Sequence, residues 1–261
     1  MPANLAYDRT GSGPPLLLIH GLGSNRRVWD APLGLLERER EVIAVDLPGF
    51  GDSPSLSTTP TPGALADALE ETIADLGLTK PSVAGNSLGG LLSLELARRG
   101  SVASAVALSP AGFSSPRESR FASVSLELSR KAATAIAPAL PRLVESSAGR
   151  TLLTAQLVAQ PSAVPPAEML GAVEGLINCE GFEETRKALF DYVWMDREEL
   201  PVPATIAWGA KDRLLLPWQA RRAEAWIPGI RSFELPGCGH VPCWDNPPLV
   251  ARTILEGVSL A

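Results

Sequence analysis

The chain is poor in the residues that staple, ligate or span. Its three cysteines, Cys179, Cys238 and Cys243, are an odd and sparse set that excludes a disulfide framework. Histidine occurs only at positions 20 and 240, so any imidazole chemistry rests on His20 or His240. There is no excess of basic charge. The formal net charge is −6 with both signs interspersed, which leaves no basic face for nucleic acid or an anionic membrane surface. No apolar run approaches the length of a membrane span. The opening "MPANLAYDRTGSG" has neither the basic start nor the apolar stretch of a secretion signal, so the expected compartment is the cytoplasm. There is no P-loop, and no glycine-rich dinucleotide turn follows the first strand, so no cofactor is expected.

What remains is a globular composition, 45% apolar and 20% charged, in 261 residues, near the upper size for one domain. Strand and helix signals alternate. "PPLLLIHG", "EVIAVDLPG", "PSVAGN", "VASAVALSP", "ATIAWG" and "RSFELPG" are short apolar runs that read as strands. Between them lie helical spacings, as in "TPGALADALEETIADLGL", where Leu65, Leu69, Ile73 and Leu76 share a face and Gly77 is the expected C-cap. Strict alternation implies parallel βαβ units, whose strands are covered on both faces and so read as continuous apolar runs. From 113 to 200 the rhythm breaks: helical segments are expected near 116–139, 142–159, 167–179 and 182–195. The expected organisation is an α/β core of residues 1–112 and 201–261 with a helical insertion, 113–200, between its parts.

Chemistry concentrates at "GNSLG", where a strand turns into a helix. A side chain exposed on so tight a turn needs very small residues two positions before and after it, and Gly85 and Gly89 supply them. The helix N-terminus beside Ser87 favours developing negative charge. Alone, G-x-S-x-G is short and recurs by chance. A serine nucleophile of this type has its acid and then its histidine later in the chain. Only His240 lies after Ser87, and Asp212 in "WGAKDRLLLP" is the best acid; all three occupy expected carboxyl ends of strands, which converge on one crevice.

"HGLG", "DLPGFGDS", "GNSLGG", "WGAKDRLLLP" and "GCGHVPCWDNP", in that order, resemble the serial signatures of the α/β-hydrolase superfamily in its cap-bearing serine-hydrolase branch. The resemblance implies a mainly parallel sheet flanked by helices, with the insertion acting as a lid. It also implies a Ser87–His240–Asp212 triad, and an oxyanion hole formed by the backbone N–H groups of Leu22 and Leu88. His20 is expected to hold the "HGLG" turn, and Asp46 and Asp52 to form turns. In "CGHVPC", no fourth ligand completes a metal site around Cys238, His240 and Cys243, so no metal is expected.

Candidate pocket residues are Phe113, Phe182, Trp194 and Leu214, with Phe121, Phe190, Tyr192 and Trp218 as further aromatics near the lid or the acid. Trp244 is expected to pack beneath the histidine loop. Together they point to a small-to-medium apolar ester or acyl substrate for a monomer or homodimer. Two other readings stay open. Carbon–carbon hydrolases of ring-cleavage products share the GNS-type turn, but carry Trp after the histidine, where this chain has Val241, and a lid cation, for which Arg186 or Lys187 is available. A ligand sensor on the same scaffold would bind without turnover.

Overall fold

Runs such as Leu16–Ile19 are too short for helices and wholly apolar, so they are stable only as strands covered on both sides. In a computed structural model, described for residues 5–259, they form the interior of one sheet. Its strands are β1 (Tyr7–Gly11), β2 (Pro15–Ile19), β3 (Glu41–Val45), β4 (Ser82–Asn86), β5 (Ala105–Leu108), β6 (Ala204–Gly209) and β7 (Arg231–Leu235). The spatial order is β1-β3-β2-β4-β5-β6-β7, and every pair is parallel except β1 with β3.

The helices outside the insertion are α1 (Asp30–Leu36), α2 (Pro62–Asp75), α3 (Leu88–Arg99), α9 (Gln219–Trp226), α10 (Pro242–Asp245) and α11 (Pro247–Val258); the insertion carries α4 (Pro116–Ala135), α5 (Leu140–Leu143), α6 (Ser147–Thr154), α7 (Pro166–Asn178) and α8 (Phe182–Asp191). Successive strand residues point to opposite faces, and the core divides accordingly. Leu17, Ile19, Ile43 and Val83 pack with the α2–α3 side, while Leu16, Leu18, Val42 and Ala84 pack with α1 and α11. Each of these Leu, Ile and Val side chains, taken fully out of water, contributes about 1.5–3 kcal/mol. Gly77, at φ 67°, ends α2 as expected: Leu78 N–H donates to Ile73 O at 3.0 Å, a bond that needs a left-handed residue.

Two features depart from the sequence reading. Strand β1 has no apolar run; it exists because its backbone pairs antiparallel with β3, Tyr7 opposite Val45, while its side chains stay largely exposed. The helix expected over 142–159 is shortened to α6, and beyond its end the N–H groups of Ala159 and Gln160 donate to the Asp245 carboxylate. Between β5 and β6 the chain forms no strand. Leu140, Val158, Met169 and Val173 build a small core of their own there, whereas Leu126, Phe182 and Leu189 join the main core. Among the described residues no helix is long and apolar enough to cross a membrane.

Candidate active site

Strand β4 delivers Ser87 to a turn with φ 59° and ψ −113°, outside the conformations open to most side chains, at a cost of roughly 1–3 kcal/mol. The surroundings enforce it. Ser87 N–H donates to Leu108 O at 2.9 Å, and Ser87 O accepts from Leu91 and Ala111 N–H at 3.0 and 3.1 Å. The two flanking glycines are as tight as the sequence requires: a Cβ on Gly85 would lie 2.1 Å from Gly89 O, and one on Gly89 2.1 Å from Ile19 O. Leu88 opens α3, where first-turn N–H groups have no acceptor within the helix.

Asp212 follows β6 and is 3% exposed. One carboxylate oxygen accepts the N–H groups of Leu214 and Leu215, both at 2.9 Å; the other is 2.8 Å from Nδ1 of His240, itself 3% exposed. A carboxylate only accepts, so Nδ1 carries the proton and Nε2 is the basic nitrogen. Trp208 Nε1 donates to Leu215 O at 2.8 Å and fixes the turn that holds the aspartate.

Ser87, His240, Leu22 and Leu214 line one cavity of about 420 Å³. Its far wall comes from the insertion, with Leu126 of α4, Leu157 beyond α6, Leu176 of α7 and Phe190 of α8. Among the described residues lining it, none is Asp, Glu, Lys or Arg. The turn carrying Leu22 lies over the serine: a Cβ on Gly21 would be 3.2 Å from Ser87 Cβ. His20 holds that turn from below. Its Nδ1–H donates to Gly21 O at 2.8 Å, and its Nε2 accepts from Leu47 N–H at 2.9 Å. Complete burial lowers its pKa, which keeps the ring neutral for both bonds. Asp46 accepts the N–H groups of Arg26 and Asp52 at 2.7 and 2.9 Å, organising the neighbouring loop, and Asp52 pairs with Arg26 at 2.9 Å.

The chain as a whole resembles known proteins. The model of the alpha/beta hydrolase family matches residues 16–253. The chain belongs to that family. Among curated members, epoxide hydrolase EphH of Mycobacterium tuberculosis is 30% identical over 200 residues, 73% of this chain and 91% of its own. The uncharacterized protein Rv2715 of the same organism is 28% identical over 259 residues, 93% of this chain and 74% of its own. Among solved structures, a thermophilic esterase from Thermogutta terrifontis superposes with TM-score 0.73 at 25% identity, covering 97% of this chain and 92% of that one.

Three of the expected pocket residues of this alpha/beta hydrolase lie elsewhere. Phe113, Phe182 and Trp194 are fully buried in the main core, with the Phe113 ring 6.0 Å from those of Trp194 and Trp226. The backbone N–H of Trp194 donates to Gly112 O at 2.9 Å, which anchors this segment beside the sheet. Leu214 and Phe190 do line the cavity, as does Trp244, which the sequence reading put under the loop. Arg186 is turned away into pairs with Glu183 and Glu127 at 2.8 and 3.1 Å, and Lys187 is exposed.

Two supporting residues escaped the sequence reading. Asn86, beside the serine, donates from its amide to Leu108 O and His240 O at 3.0 and 2.9 Å. The Asp245 carboxylate accepts Gly239, Ala159 and Gln160 N–H at 2.7–3.0 Å, and Val241 N–H donates to Leu157 O at 2.9 Å. The histidine loop is thus fastened both to β4 and to the insertion. An asparagine within the "GNS" motif was a visible signal for the first; nothing local pointed to the second.

Cys179, Cys238 and Cys243 are buried free thiols. Desolvation raises Cys179 and Cys238 to about 11 and raises Cys243 as well.

Proposed function

We propose that the protein is a serine hydrolase that cleaves small-to-medium apolar carboxylic esters, or related acyl bonds, through an acyl-enzyme. The observation that carries this reading is the 2.8 Å Asp212–His240 bond, with His240 lining the same cavity as Ser87 on its strained turn. His240 Nε2 takes the proton of Ser87 Oγ as the oxygen attacks the acyl carbon. Asp212 keeps the imidazole in the required tautomer and stabilises its charged form. The tetrahedral oxyanion is held by the N–H groups of Leu22 and Leu88; losing one such donor costs about 2.7–4 kcal/mol. Collapse breaks the bond to the alcohol, which leaves with the proton from His240. Water, deprotonated by the same nitrogen, then releases the acid and restores Ser87.

The residues of 113–200 serve as a cap in this reading, since helices α4, α7 and α8 contribute the apolar far wall. An uncharged lining suits an apolar ester and gives no support to carbon–carbon cleavage, which would want a lid cation. Epoxide hydrolysis would need an aspartate where Ser87 stands.

The test is steady-state hydrolysis of p-nitrophenyl esters by the wild-type protein and Ser87→Ala. Multiple turnovers that fall by at least about a thousandfold in the variant are expected. A folded Ser87→Ala protein with near-wild-type rates overturns the assignment of the nucleophile. Ester binding without any turnover by the wild-type protein would instead establish a sensor, and cleavage of a vinylogous diketone but no ester a carbon–carbon hydrolase.

A further inference from the structure

A second cavity, of about 240 Å³, lies beside the first, between the stretch Asn25–Asp30 and the start of α7. The two share Ser24, Val28, Ala172 and Trp244 in their linings. Three of these shared side chains are Ser, Val and Ala, so among the described residues the indole of Trp244 is the only aromatic body common to both walls. Trp244 is half-buried and packs against two separate hydrophobic clusters, one under the sheet and one inside the insertion. It therefore bridges core and insertion where the cavities meet. The second cavity also differs in chemistry. Asn25, Arg27, Asp30 and Glu168 line it, whereas the first holds no Asp, Glu, Lys or Arg among its described lining residues.

We propose that the two cavities are halves of one substrate channel and that Trp244 is the partition that sets how long an ester chain the site accepts. The inference rests on the esterase reading given above. Its substrate class is an ester with an apolar stretch near the carbonyl, held beside Ser87, and a hydrogen-bonding far end that lies beyond the indole among the polar groups of the second cavity. One position there allows a reversal. A Cβ on Gly171, which lines the second cavity, meets nothing within 4 Å, so a side chain can be added at this wall without a clash at Cβ.

The experiment compares kcat/KM for p-nitrophenyl butanoate and p-nitrophenyl ω-hydroxydodecanoate in the wild-type protein, Trp244→Ala, Trp244→Phe and Trp244→Ala/Gly171→Leu. Trp244→Ala is expected to raise the long-to-short ratio of kcat/KM by about tenfold or more, because removing the indole joins the cavities. Trp244→Phe gives an intermediate ratio and stands in for the alanine variant should that one not fold. Adding Gly171→Leu refills the far space and returns the ratio toward the wild-type value. A ratio unmoved in a folded Trp244 variant, or one that Gly171→Leu fails to reverse, overturns the channel. Should no ester be hydrolysed at all, the esterase reading fails by itself. The channel is then read without turnover, from the fluorescence anisotropy of a dodecanoyl-chain probe bound to Ser87→Ala with and without Trp244→Ala. Tighter binding upon indole removal supports the channel, and equal binding overturns it.

Discussion

The side-chain amide of Asn86 donates to the carbonyl oxygen of His240 at 2.9 Å, across 154 positions of chain. The residue before the serine thereby sets the height of the histidine, and its second hydrogen goes to Leu108 O, so the amide itself cannot swing. Asn86→Ala leaves the buried His240 carbonyl without its amide donor, at roughly 1–3 kcal/mol, while Leu108 O keeps the Ser87 N–H. The expected result is a fall in kcat of about tenfold to a hundredfold with a smaller change in KM, since a displaced base harms the reacting geometry more than the pocket. Ester kinetics check this, and an unchanged kcat would refute it.

Gly85 tolerates no side chain. A Cβ there falls 2.1 Å from a backbone oxygen and 2.7 Å from Ser93 Oγ, and the backbone cannot yield without unseating α3. Gly85→Ala is expected to lose more than about 3 kcal/mol of stability. Urea denaturation of the soluble fraction measures it; a midpoint near wild type would mean that α3 shifts freely.

His20 makes stability depend on pH in one direction. Burial lowers its folded pKa, so at mildly acidic pH the unfolded chain binds a proton that the native state refuses. Its contribution is complete above the unfolded value of about 6.5 and is lost as pH falls from there toward the lowered folded value. Between these limits the wild-type protein loses up to about 1.4 kcal/mol per pH unit from this residue. His20→Asn is expected to show a correspondingly shallower slope in urea midpoints below about pH 6.5. Parallel slopes would exclude the effect.

The three thiols are expected to be silent in the native state. Burial disfavours each thiolate, the reactive form, and none is exposed. Titration with an aromatic disulfide reagent at neutral pH should register no rapid reaction until urea unfolds the chain, and then three equivalents from Cys179, Cys238 and Cys243. A fast-reacting native thiol would contradict this burial.

The legible parts of the molecule were those written in contiguous chain. Apolar runs such as Leu16–Ile19 mark parallel strands because such strands are covered on both faces, and the spacing of Gly85 and Gly89 declares a turn whose backbones nearly touch. Even the pairing of Asp212 with His240 was readable, since strand ends of a parallel sheet converge whatever the intervening residues do.

Side-chain destinations were not. Phe113, Phe182 and Trp194 have the composition of a pocket and the location of a core, because the direction of an aromatic depends on how its helix or loop crosses the sheet, which no local spacing encodes. Strand β1 exists through hydrogen bonds to a neighbour that its own residues do not announce. The sequence by itself therefore determined the layered sheet and the serine turn, both consequences of short-range sterics and strand periodicity. Only the tertiary structure decided which apolar groups face the cavity, that Asn86 and Asp245 fasten the histidine loop, and that Trp244 stands between two cavities, since each of these depends on residues brought together by packing rather than by proximity in the chain.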